Sequence, residues 1–194
     1  MMTNSKIIFG ILSLAFGFAI YIPYAINMWK RVARPHIFSW ITWTIIPGLA
    51  FVISFSNGGG LGSWLFALQG TFSLLVVIYS IFLGEKKITV IDWISFLSAL
   101  VVAVFYIFTK QAVLSVILAT VIDSLGYVPT FRKSFSKPFE EPALTYLFSS
   151  LGNAAALGAV GIYSAATIIY PAVMVLINAI LVGFLLYRRR EVKI

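Results

Sequence analysis

The chain has 194 residues, 61% of them hydrophobic and 10% charged, with a mean hydropathy of +1.01. That is more apolar surface than a soluble domain of this size can bury, so a water-soluble enzyme is excluded and lipid has to take up the excess. The net charge of +8 does not point to nucleic acid, because the lysines and arginines sit in short segments abutting apolar runs, and the lack of cysteine excludes disulfides and thiol chemistry.

A hydrocarbon core about 30 Å thick takes roughly 20 residues per helix. In chain order the hydropathy predicts helices over 6–28, 36–55, 62–84, 89–109, 111–131, 142–162 and 165–187. Polar or Gly/Pro-rich separators lie between them: Lys30 to Pro35, Ser56 to Gly60, Glu85 to Lys87, Lys110-Gln111, and Arg132 to Pro142. The last break is faint; Gly161, Ser164, Ala165 and Ala166 are its best local candidates. The first run has no small-residue cleavage site after it and continues to Trp29, so it reads as a retained anchor. With the sides numbered alternately, one receives Lys30, Arg31, Arg34, Lys86, Lys87, Arg132, Lys133, Lys137, Arg188, Arg189, Arg190 and Lys193, and the other only Lys6 and Lys110. The positive-inside bias then predicts an N-terminus outside and a cytoplasmic C-terminus, in a plasma (inner) membrane.

Two segments resemble each other. Tyr21-Ile22-Pro23 near the end of the first helix is followed by basic residues, Pro35 and an aromatic helix start, Phe38-Ser39-Trp40. Tyr127-Val128-Pro129 in the fifth is followed by basic residues, Pro142 and Leu144-Thr145-Tyr146. Pro23 and Pro129 are 106 residues apart, Pro35 and Pro142 107. Helices one to three and five to seven are then two copies, and a single connecting helix gives both the same orientation. The expected fold is all-α integral membrane, two parallel three-helix bundles joined by a linker helix (3+1+3), with units at 1–88, 89–110 and 111–194.

A pair of like-oriented three-helix repeats, each with a proline near the cytoplasmic end of its first helix, resembles the SWEET and PQ-loop transporter superfamily. The Pro-Gln dipeptide is replaced by Pro23-Tyr24 and Pro129-Thr130. The resemblance implies movement of a small polar solute, passive or proton-linked, along a path between the repeats. It also implies that Pro23 and Pro129 are hinges, and that Asn178 matches a pocket asparagine whose counterpart near Thr71 is not an asparagine. From the residues themselves, a proline removes an N–H and clashes with the preceding turn, so Pro23, Pro129, Pro47 and Pro171 each weaken a helix locally.

Counting 1.5 Å per residue from the helix ends brings Asp123, Asn153, Asn178, Gln69 and Pro47 to about one depth. Polar groups at that depth are costly in lipid and should face the bundle interior. Asp123 is the one deep carboxyl, with no lysine or arginine at its level, and a group that exchanges a proton there suits proton coupling. The amides of Asn153 and Asn178 suit hydroxyl- or amide-bearing solutes, or serve to join helices, Asn153 being a candidate partner for Asp123. Trp43 lies one turn deeper than Trp40 and is a candidate wall of the pocket, while Trp29, Trp40, Trp93 and Tyr187 are placed for an interfacial aromatic belt. Thr89 and Asp92 match a helix-capping box, and His36, beside Pro35, reads as solvated.

An intramembrane hydrolase lacks its inventory: no His-Glu-x-x-His, no Gly-x-Ser-x-Gly and no second deep acid. A retinal pump would need a lysine within 165–187, which holds none. The reading is therefore a transporter, not an enzyme, for a sugar, amino acid or vitamin precursor. The alternative is a non-transporting receptor of the same fold. Its partners are the solute, protons where coupled, and the lipid bilayer; no cofactor, metal or nucleic acid is expected, and a homo-oligomer is compatible with it.

Overall fold

The computed structural model describes residues 3–30, 37–84, 90–136, 138–139 and 141–192; Pro35, His36 and Thr89 lie outside them, as do the side chains of Asp92 and Pro129. Among the described residues seven α-helices form: α1 (Asn4–Trp29), α2 (Ile37–Ser56), α3 (Trp64–Leu83), α4 (Val90–Thr109), α5 (Ala112–Ser136), α6 (Ala143–Gly158) and α7 (Ala165–Glu191), with a 3-10 turn, Gly60–Ser63, leading into α3.

Among the described residues three segments are long and apolar enough to cross a membrane: Asn4–Ile26 of α1, Gly60–Leu83 through α3, and Ala165–Glu191 of α7. Helices α2 and α4 are 20 residues each and α6 only 16. The exterior is oily, with Phe108 82% and Phe82 75% exposed, while Asp123 is 5% exposed and Asn153 and Asn178 are fully covered. Water would reverse that distribution, and a bilayer accepts it, so the bundle belongs in a membrane.

Two helix boundaries differ from the sequence expectation. Helix α5 continues through Arg132 and Lys133 to Ser136. Cations in a final helical turn favour the carbonyl end, so a basic run there extends a helix as readily as it breaks one. The free carbonyl of Phe135 is taken by Arg188, whose Nε and Nη2 donate to it at 3.0 and 2.8 Å. Arg189 donates to the carbonyls of Pro138 (3.1 Å) and Glu141 (2.7 Å), so the end of α7 holds the α5–α6 connection. Helix α6 stops early, at Gly158, and 159–164 turns the chain. There the Thr167 hydroxyl accepts the Ser164 N–H at 2.9 Å and donates to the Ile162 carbonyl at 2.8 Å. Thr167→Val, nearly isosteric, leaves both groups unpaired. It should cost about 1–2 kcal/mol in reversible denaturation in mixed micelles, without change in helix content by circular dichroism.

Small residues set the helix spacing. Gly10 meets Leu61, Gly17 meets Leu68, Tyr21 stacks on Phe72 and the Tyr79 hydroxyl donates to the Met28 carbonyl, so α1 and α3 run parallel with a constant offset of 51 residues. Helices α5 and α7 are also parallel: Tyr127 bonds Asn178, again 51 residues on, and Phe131 meets Phe184. Helix α1 packs antiparallel on α6, with Phe9 at Gly158 and Phe16 beside Phe148. Helix α2 meets α5 where the Trp43 indole faces Gly126. Further neighbours are α2 with α3, α4 and α7, α6 with α7 and α3, and α4 with α5. Lys30 and Arg188 to Arg190 therefore gather at one end of the bundle, here the basic end, with Lys6 and Lys110 at the other.

Candidate functional site

The interior polar groups sit on α5, α6 and α7. Asp123 is midway along α5, and Tyr127, one turn further, presents the same face. The parallel register with α7 supplies a partner for each. The Tyr170 hydroxyl donates to Asp123 Oδ2 at 3.0 Å, and the Tyr127 hydroxyl donates to Asn178 Oδ1 at 3.2 Å. Asn178 in turn donates from Nδ2 to the Met174 carbonyl at 2.7 Å, which fixes its amide with the oxygen towards Tyr127.

Asn153, on α6, is held on one side only. Its Nδ2 donates to the Ser149 carbonyl at 2.9 Å, while Oδ1 is buried with no donor among the described residues. One turn earlier, Ser150 ties α6 to α7 by donating to the Val175 carbonyl at 3.0 Å. A buried acceptor without a donor costs about 1–3 kcal/mol, and a bound water or a solute can supply the missing donor.

Aromatic side chains close the site on both sides. Towards the N-terminal end, Phe66 of α3 meets the Tyr170 ring edge-on at 5.2 Å. Towards the basic end, Trp43 is set edge-on to Trp40 at 5.1 Å, and Trp40 packs on Tyr24 at 4.8 Å. Trp40 is thus buried in the wall of the interior, a correction to the belt expectation, whereas Trp29, Trp93 and Tyr187 are exposed at helix ends. Two concavities, of about 520 and 360 Å³, lie along α5, one beside Gln111 and Leu114 and one between Thr120 and Ser124 of α5 and Ile169 and Val173 of α7.

Asp123 and Asn178 each meet a tyrosine across the α5–α7 contact, Tyr170 and Tyr127 respectively. The partner of Asp123 is Tyr170, however, and not Asn153, because the α5–α7 register carries the Tyr170 ring down to it. Gln69 is half-buried, and its backbone carbonyl accepts the Tyr21 hydroxyl at 3.2 Å. Pro47 and Pro171 are buried inside their helices and Pro23 half-buried in α1, all three helices remaining continuous across them. Tyr127 could have been found in the sequence from its four-residue spacing to Asp123; Tyr170 and Phe66 meet only through tertiary register.

No family model matches the chain, and neither curated proteins nor solved structures give a match.

Proposed function

We propose that this protein is a membrane carrier for a small polar solute, working by alternating access between two three-helix repeats, 1–88 and 111–194, with α4 as the linker. The observation that carries the reading is the buried polar row of Asp123, Asn178 and Asn153 inside a bundle whose outer face is apolar. Such groups are expensive at that depth and are kept where a polar ligand or a proton must pass.

The neighbour relations support the repeats. Exchanging α1 with α5, α2 with α6 and α3 with α7 turns each contact among these six helices into another existing contact: α1–α3 into α5–α7, α2–α3 into α6–α7, α1–α6 into α5–α2, and α2–α7 into α6–α3. Only α4 stands outside the exchange, packing on α2 and α5. Both parallel pairs are offset by about 50 residues, 51 where Tyr79 meets Met28 in α1–α3 and 47 to 53 along α5–α7, as two copies of one unit would leave. This layout, with the Tyr-x-Pro pair, favours a divergent SWEET or PQ-loop-like carrier in the plasma membrane, with the basic end cytoplasmic.

In this reading Asp123 holds the exchangeable proton, Asn153 Oδ1 accepts a hydrogen bond from the solute, Asn178 and Gln69 line the path, and Trp43 walls it. Pro23, Pro129, Pro47 and Pro171 give the local weakness that rocking needs. The test is uptake of radiolabelled sugars, amino acids and vitamin precursors into proteoliposomes, guided by a thermal-shift screen over the same panel. Saturable uptake of at least one class supports the carrier. A solute that shifts the melting midpoint yet is never transported would leave a receptor of this fold instead.

A further inference from the structure

At the end of the bundle remote from the basic tail, backbone hydrogen bonds join the two halves beside the packing of Phe9 on Gly158. After α2 the chain turns through Gly58, at φ +86°, and Gly60, at φ +60°, a left-handed conformation that glycine adopts freely and other residues resist. That turn lies against 159–164, the connection between α6 and α7. The Ile162 N–H donates to the Gly58 carbonyl at 2.7 Å and the Gly161 N–H to the Gly59 carbonyl at 3.2 Å. From α1, Lys6 Nζ donates to the Gly161 carbonyl at 2.8 Å. All three bonds join residues of 1–88 to residues of 111–194. The approach leaves no room for side chains: a Cβ on Gly62 would run into the carbonyl oxygen of Ala156, and one on Gly161 would come within 2.5 Å of the Gly58 carbonyl.

We propose that this glycine clasp is the closed gate of the pathway, and that the structure is the state shut at the N-terminal end; the proposal rests on the carrier reading above. Two features separate it from a permanent seam. Its bonds are made by the segments that join α2 to α3 and α6 to α7, so rocking of either half changes them directly. Lys6 adds a bond that is stronger for its charge and close to water, and therefore quickly remade.

The chain contains no cysteine, so a single introduced thiol reports without background. Ser63 is fully covered beneath the clasp, immediately after Gly62, and Ser63→Cys is nearly isosteric. The experiment measures the rate at which a membrane-impermeant maleimide labels Ser63→Cys in solute-free proteoliposomes. Adding Gly62→Ala, which forces the turns apart, should raise the rate by about tenfold or more, and Lys6→Met by a few-fold, since a bias of that size in a two-state equilibrium moves the open population in proportion. Gly183→Ala, whose Cβ meets nothing within 4 Å, is the control and should leave the rate unchanged.

Unchanged labelling with both Gly62→Ala and Lys6→Met overturns the gate. If Gly62→Ala does not yield folded protein, Lys6→Met decides alone by the same criterion. The two readings fail separately: wild-type uptake with unresponsive labelling refutes the clasp and leaves the carrier. Responsive labelling with no transported solute refutes the carrier and leaves a movable clasp.

Discussion

Asp123→Asn is expected to abolish solute accumulation driven by a pH gradient while preserving exchange of labelled for unlabelled solute. The substitution is close to isosteric. An asparagine oxygen in place of Oδ2 still accepts the Tyr170 hydroxyl, so the α5–α7 contact survives and stability should change by less than about 1 kcal/mol. What is lost is the exchangeable proton. For one proton moved per solute, each pH unit across the membrane is worth about 1.4 kcal/mol, which supports about tenfold accumulation. An imposed gradient of two units, acid on the entry side, should therefore concentrate solute about a hundredfold through the wild type, and Asp123→Asn should reach only the external concentration. Undiminished gradient-driven accumulation by Asp123→Asn would remove Asp123 from the coupling step. Asp123→Leu separates the proton from the packing. It leaves the Tyr170 hydroxyl without its acceptor in a fully buried position, so stability should fall by about 1–3 kcal/mol as transport fails.

Asp123 was legible in the sequence because depth follows from counting along a helix, and a charge at mid-membrane needs a reason. Asn178 was legible by the same count. Tyr170 was not, since nothing in a one-dimensional pattern says which turn of α7 lies against which turn of α5, and the ring comes from a position nearer the helix start than the group it meets. The Tyr-x-Pro segments were read for their prolines, yet their tyrosines make the contacts: Tyr21 to the Gln69 carbonyl and Tyr127 to Asn178. Helix existence was readable throughout, because each apolar run is bounded by charge, glycine or proline. Ends were less so. The run from Arg132 was taken for a loop although cations also suit a helix's last turn, and the stretch after Gly158 was taken for helix although its residues are apolar enough for either. Gly58 to Gly60 read as a separator between helices. In the fold two of these glycines hold fixed left-handed angles, and the segment bonds to a turn some hundred residues away in the chain, a role that only tertiary contact discloses.

The second large effect is expected at Asn153, where stability and function should move in opposite directions. Its Nδ2 bond goes to the Ser149 carbonyl one turn back in its own helix, so losing it strands no backbone group that the helix does not already serve. Its Oδ1 is buried without a donor. Replacing such a group with an apolar side chain of similar size removes a desolvation cost and breaks little, so Asn153→Leu should leave the protein as stable as wild type or more stable by about 1 kcal/mol. If Oδ1 is where the solute donates its hydrogen bond, the same substitution should weaken binding by about 1–3 kcal/mol, a five- to 150-fold rise in the dissociation constant, with a matching rise in KM for uptake. Asn153→Asp keeps an acceptor and should retain part of that affinity. Calorimetric binding and denaturation on the same samples give both numbers. A purely structural asparagine predicts the reverse pairing, a protein less stable in Asn153→Leu with its affinity unchanged, and that outcome would move the solute away from α6.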